Sequence, residues 1–378
     1  MFISGQFDAG NISVISCVDA LDIQLNIRQD KNSEFYQWFY FRLTGAKSKP
    51  CCIKIMNAAG AAYPKGFRNY RVTYSYDRQE WKRHPTEMNS GVLSFNFTPE
   101  SDTVYFAYFA PFPMERHHNL IASTTNSPHC SYSRLGATLD GQDLDLLRFS
   151  LSDQSKSKPN CWFIARQHPG ESMAEWWMEG CIEYLLDGNN ESAQKLLNSC
   201  NVYLVPNMNP DGSNRGHLRT NAAGRNLNRE WVSPTLEFSP EVFLVKNAMA
   251  GYGVDFLMDV HGDETLPYCF IAGTEGLPEW SKKHQRQLDF YKKNLEDLNS
   301  DFQTQRGYPP KPAGQANMAM STAQTAHRHN CLAMTLEMPF KDTSATPDTV
   351  YGWSPARSKK LAHSCLETLQ LYLGSDLI

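Results

Sequence analysis

The sequence predicts two structural units: an N-terminal antiparallel β-sandwich at residues 1–120 and an α/β unit at residues 121–378. Short aromatic and β-branched segments fill the first ~110 residues, which is typical of a sandwich. From about residue 125 onward, apolar runs alternate with segments of helical period, which predicts a mainly parallel mixed sheet flanked by helices. A chain of 378 residues also exceeds the usual size of one compact domain.

The predicted N-terminal strands are short and are separated by clusters of Gly, Pro, Asn and Asp. They cover residues 35–43, 52–56, 70–76, 92–97 and 103–109. No group of polar side chains in these segments has a catalytic spacing. We therefore expect this unit to be a structural module or to shape a substrate site.

The second unit contains short apolar runs that read as buried strands. These runs cover residues 161–165, 202–205, 256–260, 268–272 and 331–336. Helical periodicity predicts helices at 171–186 and 283–298. A last helix is expected to begin at Ser354, with Pro355 in its first turn, and to end at Gly374.

Composition excludes several classes of partner. The formal net charge is −4 and no long basic run occurs, which argues against nucleic acid or an anionic membrane surface as a partner. The N-terminal segment does not resemble a secretory signal, and no apolar run approaches the roughly 20 residues that span a bilayer. Ten cysteines without a CxxC motif predict reduced thiols in a cytoplasmic protein.

The first candidate for chemistry is the segment at 165–177, where His168 and Glu171 follow a predicted strand and precede a predicted helix. A catalytic zinc site uses three protein ligands and one open position, and a strand end followed by a turn can supply two of them. Taken alone, this HxxE spacing also occurs by chance.

The third ligand of such a site has a candidate in His261, which ends a predicted buried strand. In α/β sheets, ligands bind at the carboxyl ends of the strands. A strand-end histidine can also be structural. Asp259, Asp263 and Glu264 are candidates for orienting the ligand imidazoles, and they can equally be solvated loop carboxylates.

Glu337 is the one carboxylate in the apolar strand predicted at 331–336 and its continuation. A carboxylate in such a strand is either neutralised by a neighbour or retained for chemistry. Beside an activated water, it could accept a proton and later return it to a leaving amine.

An Asn- and Gly-rich segment at 207–231 carries four arginines. They are Arg215, Arg219, Arg225 and Arg229. Long segments without regular structure in a compact domain are usually functional, and the planar fork of arginine suits carboxylate recognition and oxyanion stabilisation. A surface loop with scattered arginines is the alternative.

Five motifs occur in order along the chain. They are ARQHPGE at 165–171, NPDG at 209–212, GRNLNREW at 224–231, DVHG at 259–262 and TLEM at 335–338. This set resembles the zinc carboxypeptidases of the M14 clan, and most of all the cytosolic carboxypeptidase subfamily, which has an N-terminal β-sandwich. The resemblance implies a carboxypeptidase-like α/β domain, one Zn²⁺ per chain, and peptide or protein C-termini as substrates.

The resemblance also assigns roles to individual residues. It implies that His168, Glu171 and His261 are the zinc ligands and that Glu337 is the general base. Arg219 resembles the arginine that polarises the scissile carbonyl.

Three further residues match positions that handle the substrate in the family. Asn228 and Arg229 match the pair that binds the terminal carboxylate of the substrate. Arg166, which precedes the metal motif, is assigned to substrate binding in a supporting role.

Two positions depart from the family pattern. Asn226 stands where the family often has Asp, so a local charge is lost. The family tyrosine that closes over the substrate has no clear counterpart, although Tyr308 is a candidate.

The resemblance suggests a preference for acidic C-terminal residues, including glutamates joined through side chains. Lys311, Arg328 and Arg215 could supply the positive charge for it. Two alternatives stay open from the sequence: a zinc-dependent acyl-amino-acid hydrolase of the same clan, and a peptide-binding relative without catalysis.

Overall fold

A computed structural model of the chain describes residues 1–151 and 158–377. The N-terminal part forms two five-stranded sheets. Their strands are β1 (Phe2–Ser4), β2 (Ser13–Ser16), β3 (Ile23–Asn26), β4 (Tyr40–Thr44), β5 (Cys51–Ile55), β6 (Arg71–Ser75), β7 (Lys82–Pro85), β8 (Glu87–Asn89), β9 (Val92–Phe97) and β10 (Thr103–Ala107).

The two sheets have the orders β1-β4-β10-β6-β7 and β2-β3-β5-β9-β8. All of their strand pairs are antiparallel except β3 with β5, which are parallel. The strand predicted at 35–43 begins only at Tyr40, and the side chain of Gln37 bonds to the main chain of Tyr63. Its amide donates to Tyr63 O at 3.0 Å and accepts from Tyr63 N at 2.7 Å.

The rest of the chain contains seven strands and eight α-helices within the described residues. The strands are β11 (Cys130–Ala137), β12 (Asp143–Phe149), β13 (Asn160–Ala165), β14 (Asn201–Val205), β15 (Phe256–Asp263), β16 (Phe270–Ala272) and β17 (Leu332–Pro339). The helices are α1 (Met114–Thr124), α2 (Ser172–Leu186), α3 (Glu191–Ser199), α4 (Pro210–Arg215), α5 (Pro240–Tyr252), α6 (Lys282–Leu298), α7 (Ser321–His329) and α8 (Pro355–Leu373).

The seven strands form one mixed sheet of order β11-β12-β14-β13-β15-β17-β16. The central strands β14, β13, β15 and β17 are parallel, and the outer pairs are antiparallel. Strands β15 and β17 are buried along their whole length, as expected for strands covered on both faces. The predicted fold class is confirmed: N-terminal antiparallel sheets precede an α/β unit with a mixed sheet.

The two units share a continuous hydrophobic core. Tyr108, just after β10, stacks on Phe340 beyond β17 with ring centroids 4.7 Å apart. The buried Arg83 of β7 donates to the carbonyls of Phe340 at 2.7 Å and Trp353 at 3.1 Å. Helix α1 runs across the boundary expected at residue 120, so that boundary stays a prediction. In the described part of the chain, no helix has the length and apolar character needed to cross a membrane.

Candidate active site

The candidate site lies at the carboxyl ends of three neighbouring parallel strands. Strand β13 ends just before the turn that carries His168 and Glu171, and helix α2 follows directly. Strand β15 contains His261, and β17 contains Glu337. The register of β15 with β17 pairs His261 with Glu337, so the sheet itself brings these two side chains together.

His168, Glu171 and His261 converge on one point. Their nearest donor atoms all lie within 4.8 Å of one another, and all three residues are buried. Nδ1 of His168 lies 2.7 Å from Oε1 of Glu171, and Nδ1 of His261 lies 2.7 Å from Oε2 of the same carboxylate. One carboxylate therefore faces two imidazole nitrogens.

The outer nitrogens of both imidazoles are occupied by hydrogen-bond acceptors. Nε2 of His168 lies 3.0 Å from Oδ1 of Asn226, and Nε2 of His261 lies 2.9 Å from Oδ2 of Asp259. A neutral imidazole that donates from Nε2 keeps a lone pair on Nδ1. Two lone pairs and a carboxylate then point at a common position, an arrangement that a cation satisfies. This donor set of two nitrogens and a carboxylate fits Zn²⁺.

Asp259 is held in turn by buried polar groups. Its Oδ2 accepts from Gln167 Nε2 at 2.6 Å and from the hydroxyl of Ser321. Gln167 Oε1 accepts from the indole of Trp231 at 2.8 Å. This chain of contacts fixes the orientation of the His261 ring from behind the site.

The charge states of His168 and Glu171 follow from their surroundings. Burial and the cation of Arg219 lower the pKa of His168 to about 4, so its imidazole is neutral at physiological pH. Burial raises the pKa of Glu171, but the imidazoles of His168 and His261 outweigh it and hold that pKa below the ordinary value. The carboxylate is therefore ionised.

Glu337 faces the same cavity with a free carboxylate oxygen. Its Oε2 is buried and has no hydrogen-bond partner, and its Oε1 accepts from the Tyr308 hydroxyl at 3.4 Å. Burial raises the pKa of Glu337 well above the ordinary value; His261 opposes this shift, and the carboxylates Glu171 and Asp263 add to it. A proton acceptor with a raised pKa is suited to take up and return a proton.

Tyr308 lies directly beside Glu337 and is tied to the end of β15. Its hydroxyl donates to Asp263 Oδ2 at 2.5 Å, and its ring packs edge-on against Phe270. Oδ1 of Asp263 accepts from two backbone N–H groups of the following turn. The candidate tyrosine of the sequence is therefore at the cavity wall and is half exposed.

Arg219, Asn228 and Arg229 line the cavity from the segment at 214–229, here called the arginine loop. Among the described residues, neither guanidinium forms an ion pair with a carboxylate. Burial and repulsion from Arg219 lower the pKa of Arg229. Oδ1 of Asn228 accepts from Ser321 N at 2.9 Å, which turns its amide nitrogen toward His261 at 3.4 Å. Both guanidinium groups therefore face the cavity without an ion-pair partner in the described part of the chain.

Arg166 is placed differently from the expectation that it binds substrate. Its side chain is 1% exposed and does not line the cavity. Its Nε donates to Pro169 O at 2.9 Å, and its Nη1 donates to Phe112 O at 2.7 Å and to Glu175. Arg166 therefore supports the turn that carries His168 and Glu171 from below.

The whole cavity has a volume of about 1070 Å³. Lys311 lines it, together with Lys292, Glu275 and Thr335. The other two cations that the sequence offered lie elsewhere. Arg215 pairs with Asp140 at 2.6 Å, and Arg328 lies in the last turn of α7, and neither residue lines this cavity.

Four residues near the site were not identified from the sequence. Tyr63 of the N-terminal unit lines the cavity, and Asp30 and Phe35 contact the arginine loop. Lys292 reaches the cavity from helix α6. Asp30, Phe35 and Tyr63 belong to a region whose polar residues do not follow the spacing of any catalytic motif. Lys292 lies on a helix with several lysines. No local sequence pattern therefore distinguished these four residues.

Comparison with known proteins agrees with this geometry. Residues 3–109 match the cytosolic carboxypeptidase N-terminal domain, and residues 119–370 match the zinc carboxypeptidase family. An uncharacterized protein of Zymomonas mobilis is 48% identical over 367 residues, covering 97% of this chain and 95% of that protein. Cytosolic carboxypeptidase 6 of Caenorhabditis elegans is 27% identical over 368 residues, covering 88% of this chain and 77% of that protein.

A solved structure shares the whole fold. It is a metallo-carboxypeptidase from Pseudomonas aeruginosa in complex with (2-guanidinoethylmercapto)succinic acid, 42% identical, with a TM-score of 0.95 over 98% of both chains. The family resemblance seen in the five motifs is thereby confirmed. The chain belongs to the M14 zinc carboxypeptidases that carry the cytosolic carboxypeptidase N-terminal domain, and it is a metallocarboxypeptidase.

Proposed function

We propose that the protein hydrolyses the C-terminal peptide or isopeptide bond of peptides or proteins, with one Zn²⁺ held by His168, Glu171 and His261. One observation carries this proposal. A His/Glu/His cluster faces the same cavity as the Glu337 carboxylate, whose Oε2 has no hydrogen-bond partner, and as two guanidinium groups that form no ion pair within residues 1–151 and 158–377. This combination suits an anionic, carbonyl-containing ligand that must be attacked by water.

In this proposal Arg229 and Asn228 bind the terminal carboxylate of the substrate. The planar guanidinium suits a carboxylate, and the Asn228 amide nitrogen faces the same space. Arg229 Nη1 donates to Asn228 O at 2.6 Å, which leaves its other nitrogens available. Arg229→Ala is expected to raise KM for peptides by about 10-fold or more. Peptides with an amidated C-terminus should bind weakly, and equally so, to the wild-type protein and to the Arg229→Ala variant.

The catalytic step divides between the protein and its metal. When bound, zinc would supply a Lewis acid that brings the pKa of a water toward neutrality. Glu337 accepts the proton of the attacking water and then donates it to the departing amine. Arg219 stabilises the negative charge that develops on the carbonyl oxygen, a contribution whose loss typically costs about 10²–10³ in rate.

We further propose a preference for acidic C-terminal residues, including glutamates attached through side chains. Lys311 and Lys292 line the cavity, and no ion pair between either of them and a carboxylate is found in the described part of the chain. Glu275 also lines this cavity. An acidic side chain would complement the two lysines.

Matched peptides that differ only in the last residue test the proposal. Release of C-terminal Glu, Leu and Lys is measured by mass spectrometry, with and without a chelator. We expect Glu to be released fastest and all release to stop with the chelator. Faster release of Lys would indicate that Glu275 binds the side chain of the last residue, and it would overturn the proposed preference for acidic residues. Hydrolysis of N-acyl amino acids without peptide cleavage would overturn the carboxypeptidase proposal itself.

We also propose that the protein works in the cytoplasm. All ten cysteines are free, and most of them are buried, as expected in a reducing compartment. The Caenorhabditis elegans relative is named a cytosolic carboxypeptidase. Cell fractionation with detection of the native protein tests this, and recovery in a secreted fraction would contradict it.

A further inference from the structure

We infer that Asp30 of the N-terminal unit is a positioning residue for catalysis, acting through Arg219. The aromatic rings of Phe35 and Tyr63, in the same unit, pack against the Arg219 side chain. The inference rests on the role proposed for Arg219. It also gives the N-terminal unit a part in the reaction, because residues of that unit would position a catalytic cation of the α/β unit.

The Asp30 carboxylate binds the backbone on both sides of Arg219. Its Oδ1 accepts from Leu218 N at 2.6 Å, and its Oδ2 accepts from Arg219 N at 2.8 Å and Thr220 N at 2.9 Å. The Thr220 hydroxyl donates to Oδ2 at 3.0 Å. Asp30 is 2% exposed, so a buried negative charge depends on these donors. The carboxylate and the loop therefore fix each other.

The Arg219 guanidinium is held by aromatic faces. It lies 5.5 Å from the ring centroid of Phe35 and 5.6 Å from that of Tyr63. Aromatic rings attract a cation without neutralising it as a carboxylate would. The guanidinium thus has a defined position and keeps its hydrogen-bond donors for negative charge that develops in the cavity.

Other backbone contacts tie the N-terminal unit to the arginine loop. The Asn11 amide donates to Gly216 O at 2.8 Å, and Lys31 N donates to His217 Nε2 at 3.1 Å. Gly216 and His217 lie three and two residues before Arg219. The loop is therefore held at several consecutive residues and not at Asp30 alone.

Two glycines permit this close approach. Gly216 has a φ of +69°, and a Cβ on it would lie 2.7 Å from Ala9 O. Gly224 has a φ of +81°, and a Cβ there would lie 2.3 Å from Asn32 O. Only glycine combines this backbone conformation with such proximity to another main chain. The arginine loop is shaped to fit the N-terminal unit.

Asp30→Asn in the full-length zinc enzyme tests the inference. The amide keeps the shape of the side chain but places an N–H group against the loop donors. Because a displacement of about 1 Å can cost 10²-fold in rate, we expect kcat to fall by about 10–100-fold. KM and zinc content should stay unchanged. Asp22→Asn, at an exposed carboxylate that pairs with Lys54, is the matched control and should keep full activity.

A double-mutant cycle with Arg219→Ala separates positioning from general destabilisation. Arg219→Ala alone should lower kcat by about 10²–10³-fold. In that background Asp30→Asn should have no further effect on kcat, because coupled residues are not additive. An equal loss in both backgrounds, or no loss in either, would overturn the positioning role. Full activity of Arg219→Ala would overturn the proposed role of Arg219 and, with it, this inference.

Discussion

The metal side of the candidate site and its arginine side are built in different ways. On the metal side, His261 and Glu337 are paired residues of adjacent parallel strands, and His168 follows the next strand. On the arginine side, Arg219 lies in a loop that takes its shape from the N-terminal unit. A sheet can position catalytic side chains by strand register alone, whereas a long loop needs support from another part of the chain.

The largest effect is expected from a substitution on the metal side. Glu337→Gln removes the proton acceptor without changing the size of the side chain. We expect kcat to fall by about 10²–10⁴-fold, the usual contribution of general acid–base catalysis. Zinc content, measured by elemental analysis, should stay near that of the wild-type protein. Substantial remaining activity at full zinc content would remove Glu337 from its role.

Asp259→Asn weakens the contact that supports the His261 ring on the metal side. Asp259 Oδ2 lies 2.9 Å from His261 Nε2, and an amide in place of this carboxylate makes the imidazole a weaker ligand. We expect zinc affinity to fall by about 10–100-fold, the typical cost of losing such a partner. Competition with a chelator measures it. Asp255→Asn, at the exposed residue before the same strand, is the control and should bind zinc normally.

The arginine side should respond to pH through Glu241. This buried carboxyl accepts from the side-chain amide of Asn221 in the arginine loop, and burial raises its pKa to about 8. Between pH about 4.5 and 8 the unfolded chain has lost this proton while the folded chain keeps it. The free energy of unfolding therefore decreases as the pH rises through that window, by a few kcal/mol at most.

Glu241→Gln should remove this contribution. The difference in Tm between the variant and the wild-type protein is expected to grow from pH 5 to about pH 8 and then to level off. Thermal unfolding of the zinc-loaded protein at several pH values measures it. A difference that does not change with pH would contradict the raised pKa.

The smallest effect is expected from Asn226→Asp, which restores the residue that the family often has. Asn226 Oδ1 already accepts from His168 Nε2 at 3.0 Å, so only charge is added. A carboxylate makes the imidazole more basic, and we expect zinc to bind less than about 10-fold more tightly. Slower zinc loss to a chelator would show this. Weaker binding would mean that the added charge disturbs the Asn228 backbone contact.

Much of the metal side was predictable because its signals are local. Buried apolar runs mark the strands, and a polar side chain at the end of such a run is conspicuous, as with His261 and Glu337. Arg166 was placed in the substrate site from its position before His168, yet its side chain turns inward to Glu175 and Pro169. Arg166 has a φ of +59° at the end of its strand, and the direction of a side chain in that conformation cannot be predicted from the neighbouring residues in the sequence.

The amino-acid sequence alone predicted an all-β unit followed by an α/β unit, the family, and the residue types gathered around the metal. It did so because periodicity and motif spacing are properties of short segments. The contacts of Asp30, Phe35 and Tyr63 with Arg219 are visible only in the folded structure, since Asp30 lies nearly 190 residues before Arg219 in the chain. Such contacts depend on how two units pack against each other, and no local pattern encodes that packing.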